Sequence, residues 1–229
     1  SLLYTSGFFS ITKINAPVII VGNIVVGGSG KTPLVIWLSK YFKKKGFSPG
    51  VVSRGYGGAY KSHTEFVTPT SDPFLVGDEP VLIARNTYCP VIVAKKRAKA
   101  AKELVEKHKC NIIISDDGIQ HYSLDRDIEI VVVDGERTFG NSYCLPAGPC
   151  REPKTRPFFE ANFIVSTFRG CKEISNSTLI NQLELTYSRM GLAPKPITIM
   201  RYNYKELSSV TTPSKTLSLS FSKTFFILN

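Results

Sequence analysis

Residues 27–32 form a glycine-rich segment whose residue types suit binding of a polyphosphate. They read Gly27-Gly28-Ser29-Gly30-Lys31-Thr32, after the apolar run at 18–21 and before an amphipathic pattern. Glycines allow successive main-chain N–H groups to face one point, and a helix N-terminus adds partial positive charge. Lys31 would then reach the β- and γ-phosphates, and the Thr32 hydroxyl would ligate a bridging Mg²⁺. The usual pattern has one more glycine, where this chain has Val25, and a glycine-rich turn without a ligand is the alternative.

A pair of carboxylates follows an apolar run later in the chain. Residues 112–118 read Ile-Ile-Ile-Ser-Asp-Asp-Gly, which is typical of a buried strand that ends in Asp116 and Asp117. Phosphoryl transfer depends on charge neutralisation and on an aligned nucleophile. The pattern therefore predicts Asp116 near the Mg²⁺ and Asp117 close behind it. An ordinary Asp-Gly turn would give the same letters.

A third acidic position could act as a general base. Gly77-Asp78-Glu79-Pro80 is typical of a helix start, where Asp78 is either an N-cap or a carboxylate that accepts a proton from a substrate hydroxyl. Arg151 and Glu152, after a loop rich in proline and glycine, offer a second cation and a further oxygen ligand. Residues 53–58 offer an arginine and the aromatic ring of Tyr56. Each of the last two segments would be a surface loop if taken alone.

The elements that must position these residues are strands alternating with helices. Apolar runs predict strands at 17–21, 51–52, 91–93, 112–114, 128–133 and 163–165, and helical spacing predicts helices at 34–42 and about 95–109. This order predicts an α/β fold of the P-loop NTPase type, with a doubly wound parallel sheet. Ligands bind at the carboxyl ends of such strands, where Lys31, Asp116 and the loop beyond Asp134 would converge.

The amino-acid composition changes after about residue 188, where prolines are followed by a stretch rich in Ser and Thr. We therefore predict a nucleotide-binding domain at 1–190, and at 191–229 a hinge and the start of a second, smaller and incomplete α/β domain. The chain begins without Met, and its last six residues have the pattern of a strand that has not finished. Both ends are expected to be truncated.

Composition restricts the partners. The net charge is +11 in 229 residues, which favours an anionic partner, either an acidic membrane surface or a phosphorylated substrate. Nucleic acid is disfavoured because no RNA-recognition motif and no zinc-finger spacing occur. No apolar run is long enough to span a bilayer. Five cysteines without a C-x-x-C pair argue against a disulfide framework and predict a reducing compartment.

Taken in order, these motifs closely resemble those of the tetraacyldisaccharide 4'-kinases, over about residues 17–166. The resemblance implies transfer of the ATP γ-phosphate to the 4'-hydroxyl of a lipid A disaccharide precursor, by a peripheral enzyme on the cytoplasmic face of the bacterial inner membrane. The matching segments are Val21-Gly22-Asn23, Gly27 to Pro33, Ser53 to Gly57, Gly77 to Pro80, Asp116 to His121, and Leu145 to Pro153.

The resemblance also implies roles for individual residues. Asp78 matches the catalytic base of the family, with Lys31, Asp117 and Arg151 as further catalytic residues. Gly27 to Thr32 would bind ATP, and the Mg²⁺ ligands would be Thr32, Asp116 and Glu152. The implied substrate-binding residues are Tyr56, Arg97, Gln120 and His121. The family's second domain carries an Asp-His-His segment, whereas this chain has no histidine after His121.

Two other readings remain open at this point. One is a nucleotide-gated membrane adaptor that hydrolyses ATP slowly and forms no phosphorylated product, and the other is an inactive fragment of the kinase. A guanine-specific switch is disfavoured because no Asn-Lys-x-Asp motif occurs. The sequence leaves the acyl-chain preference and the oligomeric state open.

Overall fold

The computed structural model describes residues 10–60, 64–155, 160–169, 174–192, 194–202, 206–208 and 216–218. The described residues fall into two units. The first comprises residues up to 23 together with 30–131, and the second comprises 24–29 together with the residues from 132 onwards. The glycine-rich segment is thus divided after Ser29. The predicted strand at the chain end lies outside the described residues.

The first unit contains a sheet in the order β3-β4-β2-β5-β1-β6, in which only β3 is antiparallel to its neighbour. Strands β1, β2 and β5 are buried along their whole length, as expected of a parallel sheet covered on both faces. This arrangement confirms the predicted α/β class. The strands are β1 (Val18–Gly22), β2 (Pro49–Ser53), β3 (Glu65–Val67), β4 (Val91–Val93), β5 (Ile112–Asp116) and β6 (Ile128–Asp134), of which β6 continues into the second unit.

Four helices belong to the first unit: α1 (Lys31–Lys44), α2 (Pro73–Val76), α3 (Asp78–Thr87) and α4 (Arg97–Glu106). Helix α4 is shorter than the predicted 95–109. It begins after Lys96, whose backbone is extended, and the chain turns at Lys109, which has φ of 55°. Helix α2 and strand β3 are too short to leave a periodic pattern, and the sequence did not predict them.

The second unit contains the end of β6 next to β7 (Phe163–Arg169), which pairs in parallel with β8 (Ile197–Tyr202). It also contains helix α5 (Asn176–Arg189) and an antiparallel pair, β9 (Glu206–Ser208) and β10 (Thr216–Ser218). Helix α5 was not predicted from the sequence, although Ser175 caps it by accepting a hydrogen bond from the Thr178 N–H. The domain boundary predicted near residue 190 falls inside this unit. No helix in the described part of the chain has the length and apolar character that crossing a membrane requires.

Candidate active site

Lys31, the first residue of α1, is held at the carboxyl ends of two central strands. Its Nζ donates to Asn23 Oδ1 at 3.0 Å and lies 3.5 Å from Asp117 Oδ1. The side chain is buried, with 9% exposed. Gly30, the N-cap of α1, has φ of 89° and has no side chain that could cap the helix. The orphan N–H groups of its first turn are therefore available to an anion.

The loop after β5 is fixed to the end of β1 by a close main-chain approach. The Gly118 N–H donates to the carbonyl of Val21 at 3.1 Å. A Cβ on Gly22 would lie 2.7 Å from the Ile119 side chain, so this approach requires a glycine. Asp117 adopts φ of 49°, a left-handed conformation in which its carboxylate is paired with Lys31. The predicted convergence of Lys31 with the carboxylates after β5 is thus observed.

Asp116, the last residue of β5, is a fully buried carboxylate. Its Oδ2 accepts a hydrogen bond from Ser53 Oγ at 3.4 Å, whereas Oδ1 has no hydrogen-bond partner among the described residues. Burial and, to a lesser extent, the negative charge of Glu79 raise the pKa of Asp116 to about 7, although Lys31 opposes the shift. A buried carboxylate oxygen that lacks a partner is an unfavourable arrangement that a bound cation would relieve.

Arg97, at the start of α4, is buried completely and donates to main-chain carbonyls. Its Nη2 donates to the main-chain carbonyl of Asp116 at 3.2 Å and to that of Asp117 at 3.3 Å. Its Nη1 donates to the main-chain carbonyl of Ala94 at 3.3 Å. Burial lowers its pKa to about 10, so the guanidinium stays charged at neutral pH. Arg97 therefore holds the backbone that carries both carboxylates. Its predicted contact with substrate stays a prediction.

Gln120 and His121 complete the loop after β5. Gln120 Nε2 donates to the Asn23 carbonyl at 3.3 Å, on the residue that also binds Lys31. Burial, together with the nearby charges of Arg97 and Arg54, lowers the pKa of His121 to about 4. The imidazole is therefore neutral at physiological pH, and one of its nitrogens remains an acceptor.

An ion pair between Arg126 and Glu129 supports the loop after β5. Arg126 Nη1 lies 2.6 Å from Glu129 Oε2 and 3.2 Å from the Ile119 carbonyl, and Nη2 donates to the His121 carbonyl at 2.8 Å. Glu129 is a buried residue of β6. One charged pair thus fixes the main chain on both sides of Gln120.

Asp78 is the first residue of α3, so the predicted helix start is confirmed. Gly77, with φ of 91°, occupies the N-cap position, and Asp78 Oδ1 accepts a hydrogen bond from the Glu79 N–H at 2.9 Å. The Asp78 side chain is exposed. Helix α3 packs against α1, and the charge of Glu79 acts on Asp116. Glu79, the residue after Asp78, is therefore close enough to Asp116 for its charge to raise the pKa of that carboxyl.

The loop at 53–58 contacts the start of α3 through main-chain atoms. A Cβ on Gly58 would lie 2.6 Å from the Leu75 oxygen, and one on Gly77 would lie 2.9 Å from the Tyr56 oxygen. The Tyr56 side chain is 81% exposed. The segments that contain Tyr56 and Asp78, which were predicted separately as parts of the site, are thus neighbours. The side chains of Tyr56 and Asp78 are both exposed and accessible to a ligand.

In the second unit, residues 24–29 pair with the loop that carries Arg151 and Glu152. The Arg151 N–H donates to the Ile24 carbonyl at 2.7 Å, and the Val26 N–H donates to the Pro149 carbonyl at 2.9 Å. Val25, which replaces the usual glycine, forms an antiparallel bridge with Cys150. The β-branched residue therefore has a structural reason, because extended backbone favours it.

A magnesium ion fits the donors of the first unit. No cluster of three or more metal-ligating side chains occurs within the described ranges. Mg²⁺ commonly uses one or two carboxylates, with phosphate oxygens and water completing its shell. Asp116, with an oxygen lacking a partner, and the buried Thr32 meet that need.

The family model for tetraacyldisaccharide-1-P 4'-kinase (LpxK) matches residues 1–219. The chain belongs to this family. It is 54% identical to the tetraacyldisaccharide 4'-kinase of Nitrosococcus oceani over 153 residues, 67% of this chain and 45% of the relative. It is also 54% identical to that of Ruthia magnifica over 169 residues, 74% of this chain and 53% of the relative. The chain thus spans about half the length of the curated relatives it matches.

A solved structure of the tetraacyldisaccharide 4'-kinase family shares this fold. The crystal structure of LpxK from Aquifex aeolicus in complex with ATP superposes with a TM-score of 0.66 at 27% identity, covering 89% of this chain and 77% of that chain. The family assignment made from the ordered motifs is confirmed.

Several residues at the tetraacyldisaccharide 4'-kinase motifs have roles in the structure that the sequence did not predict. Asn23 and Ser53 bind the predicted Lys31 and Asp116 directly. Asn23 follows β1 and Ser53 is the last residue of β2, so both lie at the carboxyl end of a parallel strand. That position could have identified them as site residues. The supports at Arg126 and Glu129, by contrast, depend on tertiary contacts. The predicted Gly27, Gly28, Ser29, Arg151 and Glu152 lie in the second unit, and the other predicted site residues lie in the first.

Proposed function

We propose that this chain supplies the nucleotide site and the transfer groups of a tetraacyldisaccharide 4'-kinase. The enzyme moves the ATP γ-phosphate to the 4'-hydroxyl of a tetraacyldisaccharide 1-phosphate in lipid A biosynthesis. The proposal rests mainly on the buried Lys31 ammonium, which is held by Asn23 and Asp117. The nearby carboxylate of Asp116 adds a buried oxygen, Oδ1, that has no hydrogen-bond partner among the described residues. Family membership and the relative solved with ATP support it.

ATP is the proposed cofactor, bound with Mg²⁺. The main-chain amides of Gly27, Gly28, Ser29 and Gly30 and the Lys31 ammonium would bind its phosphates. Thr32, Asp116 and Glu152 would hold the Mg²⁺, which neutralises charge on the phosphates when bound. Arg151 supplies a second cation for the transferring phosphoryl group.

The transfer step needs a base for the sugar hydroxyl, and Asp78 is exposed at a helix start where it can take that role. Its carboxylate accepts the hydroxyl proton while the sugar oxygen bonds to the γ-phosphorus, and the bond between this phosphorus and the bridging oxygen breaks to release ADP. Tyr56, Gln120 and the neutral His121 are proposed to contact the disaccharide. Arg97 acts by fixing the Asp116 and Asp117 backbone.

The substrate and the location follow from the same proposal. A tetraacylated disaccharide lies in a membrane, and the net charge of +11 favours an anionic membrane surface. We propose a peripheral position on the cytoplasmic face of the bacterial inner membrane.

The test is transfer of label from γ-labelled ATP to the disaccharide, with a version of the chain extended to the length of its relatives. Asp78→Asn is expected to lower the rate about a hundredfold or more, because a general base is lost. Asp72→Asn, at the N-cap of the neighbouring α2, is the matched control and is expected to keep the rate, since Asn caps as well as Asp. ATP hydrolysis without a labelled lipid would instead indicate the adaptor, and an unchanged rate in Asp78→Asn would refute the assignment of the base.

A further inference from the structure

Strand β7 places two side chains against the glycine-rich segment, within the second unit. Thr167 Oγ1 donates to the Ser29 carbonyl at 2.9 Å, and Arg169 Nη2 donates to the Gly28 carbonyl at 3.0 Å. Residues two apart on a strand point to the same face, so both reach the segment from one side. Two successive carbonyls of the glycine-rich segment are therefore held by side chains more than 130 positions away in sequence.

Holding these carbonyls also fixes the direction of two amides. In a trans peptide the carbonyl and the N–H of the following residue lie in one plane and point in opposite directions. The bond from Arg169 thus turns the Ser29 N–H away from β7, and the bond from Thr167 does the same for the Gly30 N–H. These are amides that a phosphate-binding segment of this kind directs at its ligand.

The environment of the two side chains suits this task. Thr167 is buried, and its hydroxyl has a second, longer contact of 3.4 Å to the Val133 carbonyl. Arg169 is exposed, and a Cβ on Gly28 would lie 3.7 Å from its Nη2. Glycines adopt many conformations when unrestrained, so contacts from outside the segment are needed to select one of them.

We propose that Thr167 and Arg169 are positioning residues that orient the amides of Ser29 and Gly30 before a triphosphate binds. Arg169 also adds a positive charge beside the segment. The inference rests on the proposed ATP site and goes beyond it, because neither residue belongs to the glycine-rich motif.

The test is the affinity of the chain for ATP with Mg²⁺, measured by calorimetry. Thr167→Val removes the hydroxyl and keeps the shape, and Arg169→Gln removes the charge. Each is expected to weaken ATP binding about three- to tenfold, the equivalent of one hydrogen bond. Thr167→Ser keeps the donor and is expected to bind ATP within about twofold of the unmodified chain. Inorganic triphosphate is expected to show the same losses, since the contact concerns phosphate alone.

Matched controls separate this role from a general loss of stability. Thr198→Val, on β8, and Arg189→Gln, on α5, make the same chemical changes away from the segment and are expected to leave ATP affinity unchanged. If the unmodified chain does not bind ATP, the proposed function fails. If it binds and Thr167→Val and Arg169→Gln bind equally well, or if Thr167→Ser is as weak as Thr167→Val, the inference fails. Should Thr167→Val not fold, the Arg169→Gln result decides.

Discussion

At the level of single residues, the site suits a ligand that carries both a positive and a negative charge. Lys31 has one carboxylate partner in Asp117, and Asp116 is buried with an oxygen that lacks a hydrogen bond within the described ranges. An isolated buried charge is costly, and here the raised pKa of Asp116, about 7, expresses that cost. A magnesium nucleotide would bring a cation to the carboxylate and an anion to the ammonium.

The raised pKa predicts how the ligand-free protein responds to pH. The folded state keeps the Asp116 proton up to about pH 7, whereas the unfolded chain loses it near the ordinary value of 3.8. Between these values the folded state binds more protons, so stability falls as the pH rises from about 4 to 7 and then levels off. Asp116→Asn is therefore expected to be more stable than the unmodified chain at pH 8, with the difference shrinking at pH 5.

Chemical denaturation at the two pH values measures this effect. Mg²⁺ with ATP is expected to stabilise the unmodified chain more than Asp116→Asn, because binding to the folded state adds stability. Equal stabilities of the two proteins at pH 8 would show that Asp116 is not an unfavourable buried charge.

At the scale of elements, contacts between loops bring the functional side chains together. The 53–58 loop and the start of α3 meet through glycine backbone, and the loop after β5 is fixed to β1 and to Arg126. These loops follow the carboxyl ends of the strands, where parallel α/β sheets place their ligands. Substitutions of the residues that make these contacts are therefore expected to change the geometry of the site as well as the stability of the protein.

Gly58→Ala tests the contact between the 53–58 loop and the end of α2, which directly precedes α3. The new Cβ would lie 2.6 Å from the Leu75 oxygen, which is backbone and gives way little, so we expect a loss of about 2–3 kcal/mol in the free energy of unfolding. Gly57→Ala has open space around its Cβ but a φ of 79°, and is expected to cost about 1 kcal/mol through strain alone. Urea unfolding compares the two, and a Gly58→Ala cost no larger than that of Gly57→Ala would contradict this contact.

Arg126→Met tests the support of the loop after β5. It leaves the buried Glu129 without its cation, so we expect a loss of about 3–5 kcal/mol in stability. Adding Glu129→Met is expected to restore part of this loss, because the buried carboxylate is then gone as well. Lys102→Met, in an exposed pair with Glu106, is the control and is expected to change stability by less than about 0.5 kcal/mol. Similar losses for Arg126→Met and the double variant would argue against the ion pair.

The sequence predicted the parallel α/β fold and the convergence of Lys31 with Asp116 and Asp117, because strand periodicity and strand ends are local features. It did not predict α5, although Ser175 offered a cap. Nor did it identify the support from Arg126 or the contact of Thr167 with Ser29. Such bonds join positions that are unrelated in any local pattern, and only the folded topology brings them together. Val25 likewise looked like a departure until its pairing with Cys150 supplied a reason.

At the scale of the whole molecule, the excess of positive charge is the property that bears on the partner. A net charge of +11 attracts anionic surfaces over a Debye length of about 8 Å at physiological salt. We expect the chain to co-sediment with vesicles containing phosphatidylglycerol, and to be released as NaCl rises to about 0.5 M. Vesicles of phosphatidylcholine alone are the control, and equal binding to both at low salt would contradict an electrostatic attraction.

We propose that Lys31 and the carboxylates after β5 lie around the outer phosphate of a bound triphosphate. This arrangement can be observed in a crystal structure of the chain with a non-hydrolysable ATP analogue and Mn²⁺, located by its anomalous signal. We predict the γ-phosphate within hydrogen-bond distance of Lys31 Nζ, with the Mn²⁺ bound to it and to Asp116. An analogue bound elsewhere, or a Mn²⁺ far from Asp116, would refute this arrangement of the site.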